Sequence, residues 1–388
     1  MELISRKYDI FSQKEDLEPL YSMKHFPIYM GATEESQDND LFADMDWTIS
    51  RGSGMLQLTK LVPDEILYKT SHNGSVGRLW REHHTKFAEL IHKYIGRAGV
   101  KSIIEIGGGN GILNKIYTEK YGKMEWTIIE PSNVEPIEGC EAKYIRELWD
   151  DNFQYEEKIP GVECLVHSHV LEHLYDLKGF MKQNEQLLSD GQKMIFSVPN
   201  LKETLKRKYT NALNFEHTYF ISEDYVEEAL KEHAFGIIEK QYFKEDHSIF
   251  YVTEKGRKNG LDKFADFERL YIENKKILED YIDYHRCLIN RFNNRIRIES
   301  RPIYLFGAHI FSQYLIHFGL DTTGIKYVLD NDKGKQNKRL YGTSLNIRSP
   351  KILAEETAPI VILKAANYGE EIKEDILNNI NSNTVFWE

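Results

Sequence analysis

His167-Ser168-His169-Val170-Leu171-Glu172-His173 places three imidazoles and a carboxylate within seven consecutive residues. Histidine is the side chain that titrates near neutral pH and the commonest metal ligand. A helix over Val170–Leu188 would set His169 and His173 at i,i+4 on one face, with Glu172 beside them. His217, in Asn214-Phe215-Glu216-His217-Thr218-Tyr219-Phe220, is a fourth donor if its loop overhangs the same edge. His169, Glu172, His173 and His217 are therefore the candidate metal ligands. Such a set suits Fe2+, Mn2+ or Zn2+ better than Mg2+, which prefers an oxygen-rich shell. Fe2+ is the first choice, with Mn2+ or Mg2+ as alternatives. The other reading makes His169 and His173 packing groups or hydrogen-bond donors to a substrate. His217, His169 and Glu216 are the candidate catalytic groups. A free His217 would be a general base, whereas a ligated nitrogen cannot take a proton.

A second chemical feature lies upstream. Ile103-Ile104-Glu105-Ile106-Gly107-Gly108-Gly109-Asn110-Gly111 runs from a short apolar strand into a helix pattern. Glycines there let a ligand approach the backbone, and the helix start offers free N–H groups. The pattern is E-x-G-x-G-x-G, and no lysine follows it as a P-loop requires. Glu130 ends the next strand, 19 residues beyond Gly111, where a carboxylate can take both hydroxyls of a ribose. Glu105, Gly107, Gly109, Glu130, the adjoining Pro131 and Ser168 are assigned to ligand binding. Trp149 is read as an adenine cover or a core residue, and His84 as a pocket residue or part of a solvated helix face.

The elements that position these residues alternate. Strands are predicted at Ser102–Ile106, Trp126–Ile129, Cys164–Val166, Lys193–Val198, Ile237–Phe243 and Ile249–Val252. Helices are predicted at Arg78–Ile95, from Ile112 to about Tyr121, at Val170–Leu188 and around Glu223–His233. Alternation of this kind gives a parallel α/β sheet with helices on both faces, and ligands bind at its C-terminal edge. Residues 1–66 read as irregular, with one small hairpin near Met55–Leu58. A long helix or broken pair is predicted from Leu261 to Glu299, followed by a second, smaller α/β unit. That unit has strands at Ile303–Phe306, Ile325–Leu329 and Ile360–Leu363, and helices at His309–Phe318 and Glu370–Asn379. The organisation is a cap (1–75), an α/β core (76–255), a helical linker (256–300) and a Rossmann-like domain (301–388).

Composition narrows the classes. The chain has 388 residues, 50 Lys plus Arg and 61 Asp plus Glu, for a net charge of −11. An acidic balance argues against general nucleic-acid binding. No apolar run approaches a membrane span, and the N-terminus lacks an apolar signal core, so a cytoplasmic location is expected. Three cysteines, widely spaced, exclude a disulfide framework and a cysteine-built zinc site.

The glycine turn with Glu130, joined to Val198-Pro199-Asn200, resembles class I S-adenosylmethionine-dependent methyltransferases. The resemblance implies a seven-stranded Rossmann-like core in which Glu105, Gly107 and Gly109 hold the methionine part and Glu130 the ribose. The histidine segment is similar to the E-x-x-E-H motif of small-RNA and quinone O-methyltransferases, with His169 in place of the first Glu. There a divalent metal chelates two adjacent hydroxyls and lowers the pKa of the attacking one. Leu56-Gln57-Leu58, Val62-Pro63-Asp64-Glu65-Ile66-Leu67-Tyr68, Ser71-His72-Asn73-Gly74 and Glu216-His217-Thr218-Tyr219-Phe220-Ile221-Ser222 resemble deoxysugar 3-C-methyltransferases. So do Gly307-Ala308, Asp330 and Ala366-Asn367-Tyr368 near the C-terminus. Two departures stand out. No Cys precedes Cys140, so that family's N-terminal zinc domain is a relic here, and Asn214 replaces the family's Tyr. The resemblance then implies a capsular heptose O-methyltransferase acting on a nucleotide-activated sugar, with a homo-oligomeric state left open. The alternative is a metal-free C-methyltransferase on a 4-keto sugar nucleotide, with His217 as base.

Overall fold

A computed structural model describes residues 1–67, 77–96, 99–150, 152–159, 161–258 and 265–388. Tyr68, the Ser71–Gly74 segment, Leu261 and Phe264 lie outside them, as does the expected boundary at 75/76.

The N-terminal segment is more ordered than its sequence suggests. Leu17–Pro27 (β1), Phe42–Ser50 (β2) and Leu56–Leu58 (β3) form an antiparallel sheet in the order β1-β2-β3. Met45, Trp47, Ile49, Leu56 and Leu58 are fully buried beneath it. The expectation of an irregular region is thus corrected. Its cause is visible in β1, whose register slips between Pro19 and Tyr21 and again between Met23 and Phe26, which erases the alternation of period two.

The core follows. Helix α1 (Arg78–Ile95) precedes β4 (Ser102–Ile106), and α2 (Ile112–Tyr121) leads to β5 (Glu125–Ile129) and β6 (Lys143–Ile145). Then come β7 (Cys164–Ser168), α3 (Leu177–Leu187), β8 (Lys193–Pro199), α4 (Glu223–Glu232), β9 (Phe235–Phe243) and β10 (Ser248–Lys255). The sheet order is β9-β10-β8-β7-β4-β5-β6, parallel except for β10. Strand order reverses between β4 and β7, and a doubly wound sheet opens its ligand crevice at that reversal. The strands β4 and β7 are buried along nearly their whole length, because both faces of the sheet are covered. Val170–Leu188 is not one helix. A short 3-10 turn, Leu171–His173, is separated from α3, whose N-terminus is capped by Asp176 accepting the Gly179 N–H at 3.0 Å.

One unbroken 30-residue helix, α5 (Phe267–Ile296), comes next, capped by Asp266 at the Arg269 N–H (3.0 Å). It ties the cap to the core: Asn274 donates to the Gly54 carbonyl at 2.9 Å and Tyr281 to the Tyr209 carbonyl at 2.9 Å. The C-terminal unit is a parallel five-stranded sheet centred on β11 (Ile303–Phe306), flanked by β12 (Ile325–Leu329) and β14 (Ile360–Leu363). The edges are β13 (Ile347–Arg348) and β15 (Val385–Trp387). It repeats a device of the core: Asp330, at the end of β12, accepts the Ala308 N–H at 2.8 Å and the Asp332 N–H at 2.9 Å. No helix among the described residues is long and apolar enough to cross a membrane.

Candidate active site

The glycine turn leaves β4 at the strand-order reversal. Gly107, Gly109 and Gly111 have φ of 67°, 54° and 80°, in the left-handed region that side chains disfavour. Their surroundings differ. A Cβ on Gly109 would meet nothing within 4 Å, so this position opens toward the crevice, whereas one on Gly111 would collide with Cys140 and the Tyr144 hydroxyl. Glu130 lies at the end of β5, and its carboxylate grips the turn. One oxygen accepts the Gly109 N–H at 3.0 Å, and the other accepts the Ser132 N–H at 3.0 Å and hydroxyl at 2.7 Å. Glu105 sits underneath, 3% exposed, accepting the Trp126 indole N–H at 2.8 Å. Burial pushes its carboxyl up to about 7, partly opposed by that hydrogen bond. Pro131 is exposed beside Glu130.

The histidines gather next door, but not as the helix argument arranged them. His169 has φ of 55° and precedes the 3-10 turn, so it does not share a helical face with His173. Glu172, His173 and His217 converge, with one ligand atom from each lying within 4.8 Å of the others. Glu172 is fully buried, and neither of its oxygens has a hydrogen-bond partner. His173 donates its Nδ1–H to the Glu216 carbonyl at 3.0 Å, which leaves Nε2 as the lone-pair atom, 3.8 Å from Glu172 Oε1. His217 Nδ1 is buried without a partner. Desolvation raises the Glu172 carboxyl to about 7 and holds the His217 imidazole well below its usual range. Burying both Glu172 oxygens and the His217 Nδ1 without hydrogen-bond partners is costly unless a cation or proton lies between them.

His169 is not grouped with that trio, although its Nδ1 lies nearer to Glu172 than His173 Nε2 does, so the expected four-ligand set is only partly assembled. Its Nδ1 is 3.4 Å from Glu172 Oε1, while its Nε2 is 2.8 Å from Ser248 Oγ. The structure brings it instead to His83 and His247. Neither of those was singled out as a ligand, and no local pattern ties residue 83 to residue 247.

The loop bearing His217 is held from several sides. Asn214 Oδ1 accepts the His217 N–H at 2.8 Å, so the residue that departs from the family pattern orients the histidine backbone. Thr218 N–H donates to the Glu172 carbonyl at 3.0 Å. The cap strand β3 lies alongside, with Leu58 N–H to the Thr218 carbonyl at 2.9 Å and Phe220 N–H to the Leu56 carbonyl at 2.8 Å. Arg6 adds a guanidinium contact to the Thr218 carbonyl at 3.2 Å.

Two other readings narrow. Trp149 takes the core position of its two readings: its indole N–H donates to buried Asn184 at 3.0 Å and its ring packs on Phe153, because an indole in a core must satisfy its N–H there. His84 does not lie on a solvated face. Its Nδ1–H bonds back to the Trp80 carbonyl at 2.7 Å, and burial lowers its pKa. Ser168 pairs with Ser197 at 2.8 Å across the ends of β7 and β8.

Residues 79–240 match the family model described as a methyltransferase domain, and residues 239–386 match the model of a C-methyltransferase C-terminal domain. No curated protein matches the sequence significantly. Among solved structures, the chain is similar to a putative S-adenosylmethionine-dependent methyltransferase from Listeria monocytogenes (14% identity, TM-score 0.35, covering 46% of this chain and 98% of that one). It is also similar to the 1,6-didemethyltoxoflavin-N1-methyltransferase of Burkholderia thailandensis (14% identity, TM-score 0.37, covering 54% and 96%). A third is the magnesium protoporphyrin IX methyltransferase of Synechocystis (12% identity, TM-score 0.35, covering 47% and 89%). The two family matches meet at residues 239–240 and together run from α1 to β15, the first of them spanning the crevice where β4 and β7 part. Residues 79–240 thus carry a methyltransferase domain with a Rossmann-like fold, and residues 239–386 a C-methyltransferase C-terminal domain.

Proposed function

We propose that this methyltransferase transfers the methyl group of S-adenosylmethionine to a hydroxyl of a nucleotide-activated, heptose-like sugar. In this reading Gly107 and Gly109 receive the methionine end of the donor, and Glu130 turns a carboxylate oxygen to its ribose. Glu172, His173 and His217 hold a divalent metal against the acceptor diol. The observation that carries the metal is the fully buried Glu172 carboxylate, neither of whose oxygens has a hydrogen-bond partner, gathered with nitrogens of His173 and His217 within 4.8 Å. One carboxylate and two imidazoles fit Fe2+ best, with Mn2+ next and Mg2+ last. When bound, such a metal supplies Lewis acidity that lowers the pKa of a coordinated hydroxyl. His173 is fixed for this role by its bond to the Glu216 carbonyl, and His217 by Asn214. Removing divalent metal should abolish methylation of a vicinal diol on a sugar nucleotide, and adding back Fe2+ should restore it. Unchanged transfer after stripping would overturn the metal's role.

A second reading is supported by the match of residues 239–386 to a C-methyltransferase C-terminal domain. There His217 would take a proton from the carbon beside a ketone, without metal. Incubating a 4-keto sugar nucleotide with the enzyme in deuterated water decides between them. Deuterium at that carbon favours C-methylation, and its absence alongside product favours the hydroxyl.

A further inference from the structure

On the other side of His169 lies a cluster that the methyl-transfer reading leaves unused. His83 is 0% exposed on the inner face of α1, and neither of its ring nitrogens has a hydrogen-bond partner. A buried imidazole in that state loses the solvation of both nitrogens without replacement. Aromatic edges surround it: Trp80, Phe243 and Phe250 lie with ring centroids 5.2, 5.3 and 5.0 Å away. Besides His84 on its own helix, 5.1 Å away, the polar groups facing it are two further imidazoles, His169 at 5.4 Å and His247 at 5.3 Å between centroids. One nitrogen from each of the three lies within 4.8 Å of the others. They come from three separate places: α1, the end of β7, and the turn between β9 and β10.

The geometry points to a second divalent-cation site built by His83, His169 and His247, for a borderline metal such as Zn2+, Co2+ or Fe2+. Three neutral imidazoles with no carboxylate among them are the donor set such ions prefer. Bonds of about 2.1 Å place tetrahedral nitrogens roughly 3.4 Å apart, so ring rotation need close the cluster by at most about 1.4 Å. Ser248 steadies two of the rings, its Oγ lying 2.8 Å from His169 Nε2 and 2.6 Å from His247 Nδ1. Occupancy would staple α1 to the sheet edge and fix His169, whose left-handed backbone stands between this cluster and Glu172. The inference does not depend on the role given to Glu172.

The test is Co2+ binding to chelator-stripped full-length protein, measured by equilibrium dialysis and by visible absorption. A Glu172→Gln/His217→Ala double variant should retain one equivalent of Co2+ with the intense absorption of a tetrahedral site. His83→Phe, which suits the aromatic surroundings, should lose that equivalent and its band. His247→Ala, at a part-buried turn, should lose it too, which guards against misfolding of the His83 variant. A double variant that binds no Co2+, or a His83→Phe protein with wild-type stoichiometry, overturns the site. If the double variant binds as much Co2+ as wild type, the reading of Glu172 fails while this one stands.

Discussion

Glu105 offers the clearest quantitative handle on the donor pocket. Its carboxyl is buried and raised from 4.5 to about 7, so the folded state binds a proton more tightly than the unfolded one. Stability therefore falls as pH rises from about 4.5 through 7, and the full penalty stands above 7. A shift of 7 − 4.5 = 2.5 units corresponds to about 3 kcal/mol at 1.36 kcal/mol per unit. Glu105→Gln removes the ionisation but keeps an oxygen for the Trp126 indole N–H, now 2.8 Å from the carboxylate. The variant should be more stable than wild type at pH 8, by up to about 3 kcal/mol. At pH 4.5 the two should be nearly equal. Urea unfolding of donor-free protein, followed by tryptophan fluorescence at both pH values, measures the difference. A variant that is less stable at pH 8, or whose advantage is the same at both pH values, would refute the reasoning that desolvation dominates at this carboxyl.

Gly111→Ala should destabilise the protein severely, since its Cβ meets Cys140 and Tyr144 at a left-handed φ. Gly109→Ala has open space and should cost only about 1–2 kcal/mol of stability while weakening donor binding, read by calorimetry. Trp149→Phe should leave Asn184 short of a donor and lower stability by about 1–3 kcal/mol, with donor affinity unchanged; a large loss of affinity would restore the adenine-cover reading. Asn214→Ala frees the His217 backbone and should lower kcat on the order of ten- to a hundred-fold with little change in melting temperature, checked by steady-state kinetics beside thermal unfolding.

Where the chain states its structure locally, the sequence was readable. Ser102–Ile106 is a short strand of three isoleucines around Glu105, closed by glycine, and α1 carries its apolar residues at helical spacing. The cap sheet was not readable, because Pro19, Pro27 and two register slips obscure β1. The histidine segment was found by residue type but misplaced by geometry. The i,i+4 rule presumes continuous helix, and a left-handed His169 followed by a 3-10 turn breaks it. His83 and His247 were missed for a different reason. Their meeting depends on α1 packing over the β9–β10 turn, a tertiary event that no window of sequence contains.

The seam between β3 and residues 218–220 bears on how such an enzyme can be divided. The loop that presents His217 takes two of its backbone hydrogen bonds from the cap, so its conformation is borrowed from residues far outside the methyl-donor fold. A fragment cut at the start of α1 would keep the donor crevice and lose the template for its acceptor side. Exchange of the Phe220 amide with solvent should track the opening of the cap rather than that of the seven-stranded sheet. Under the proposed function, acceptor choice is a joint property of two segments, and altering one calls for altering the other.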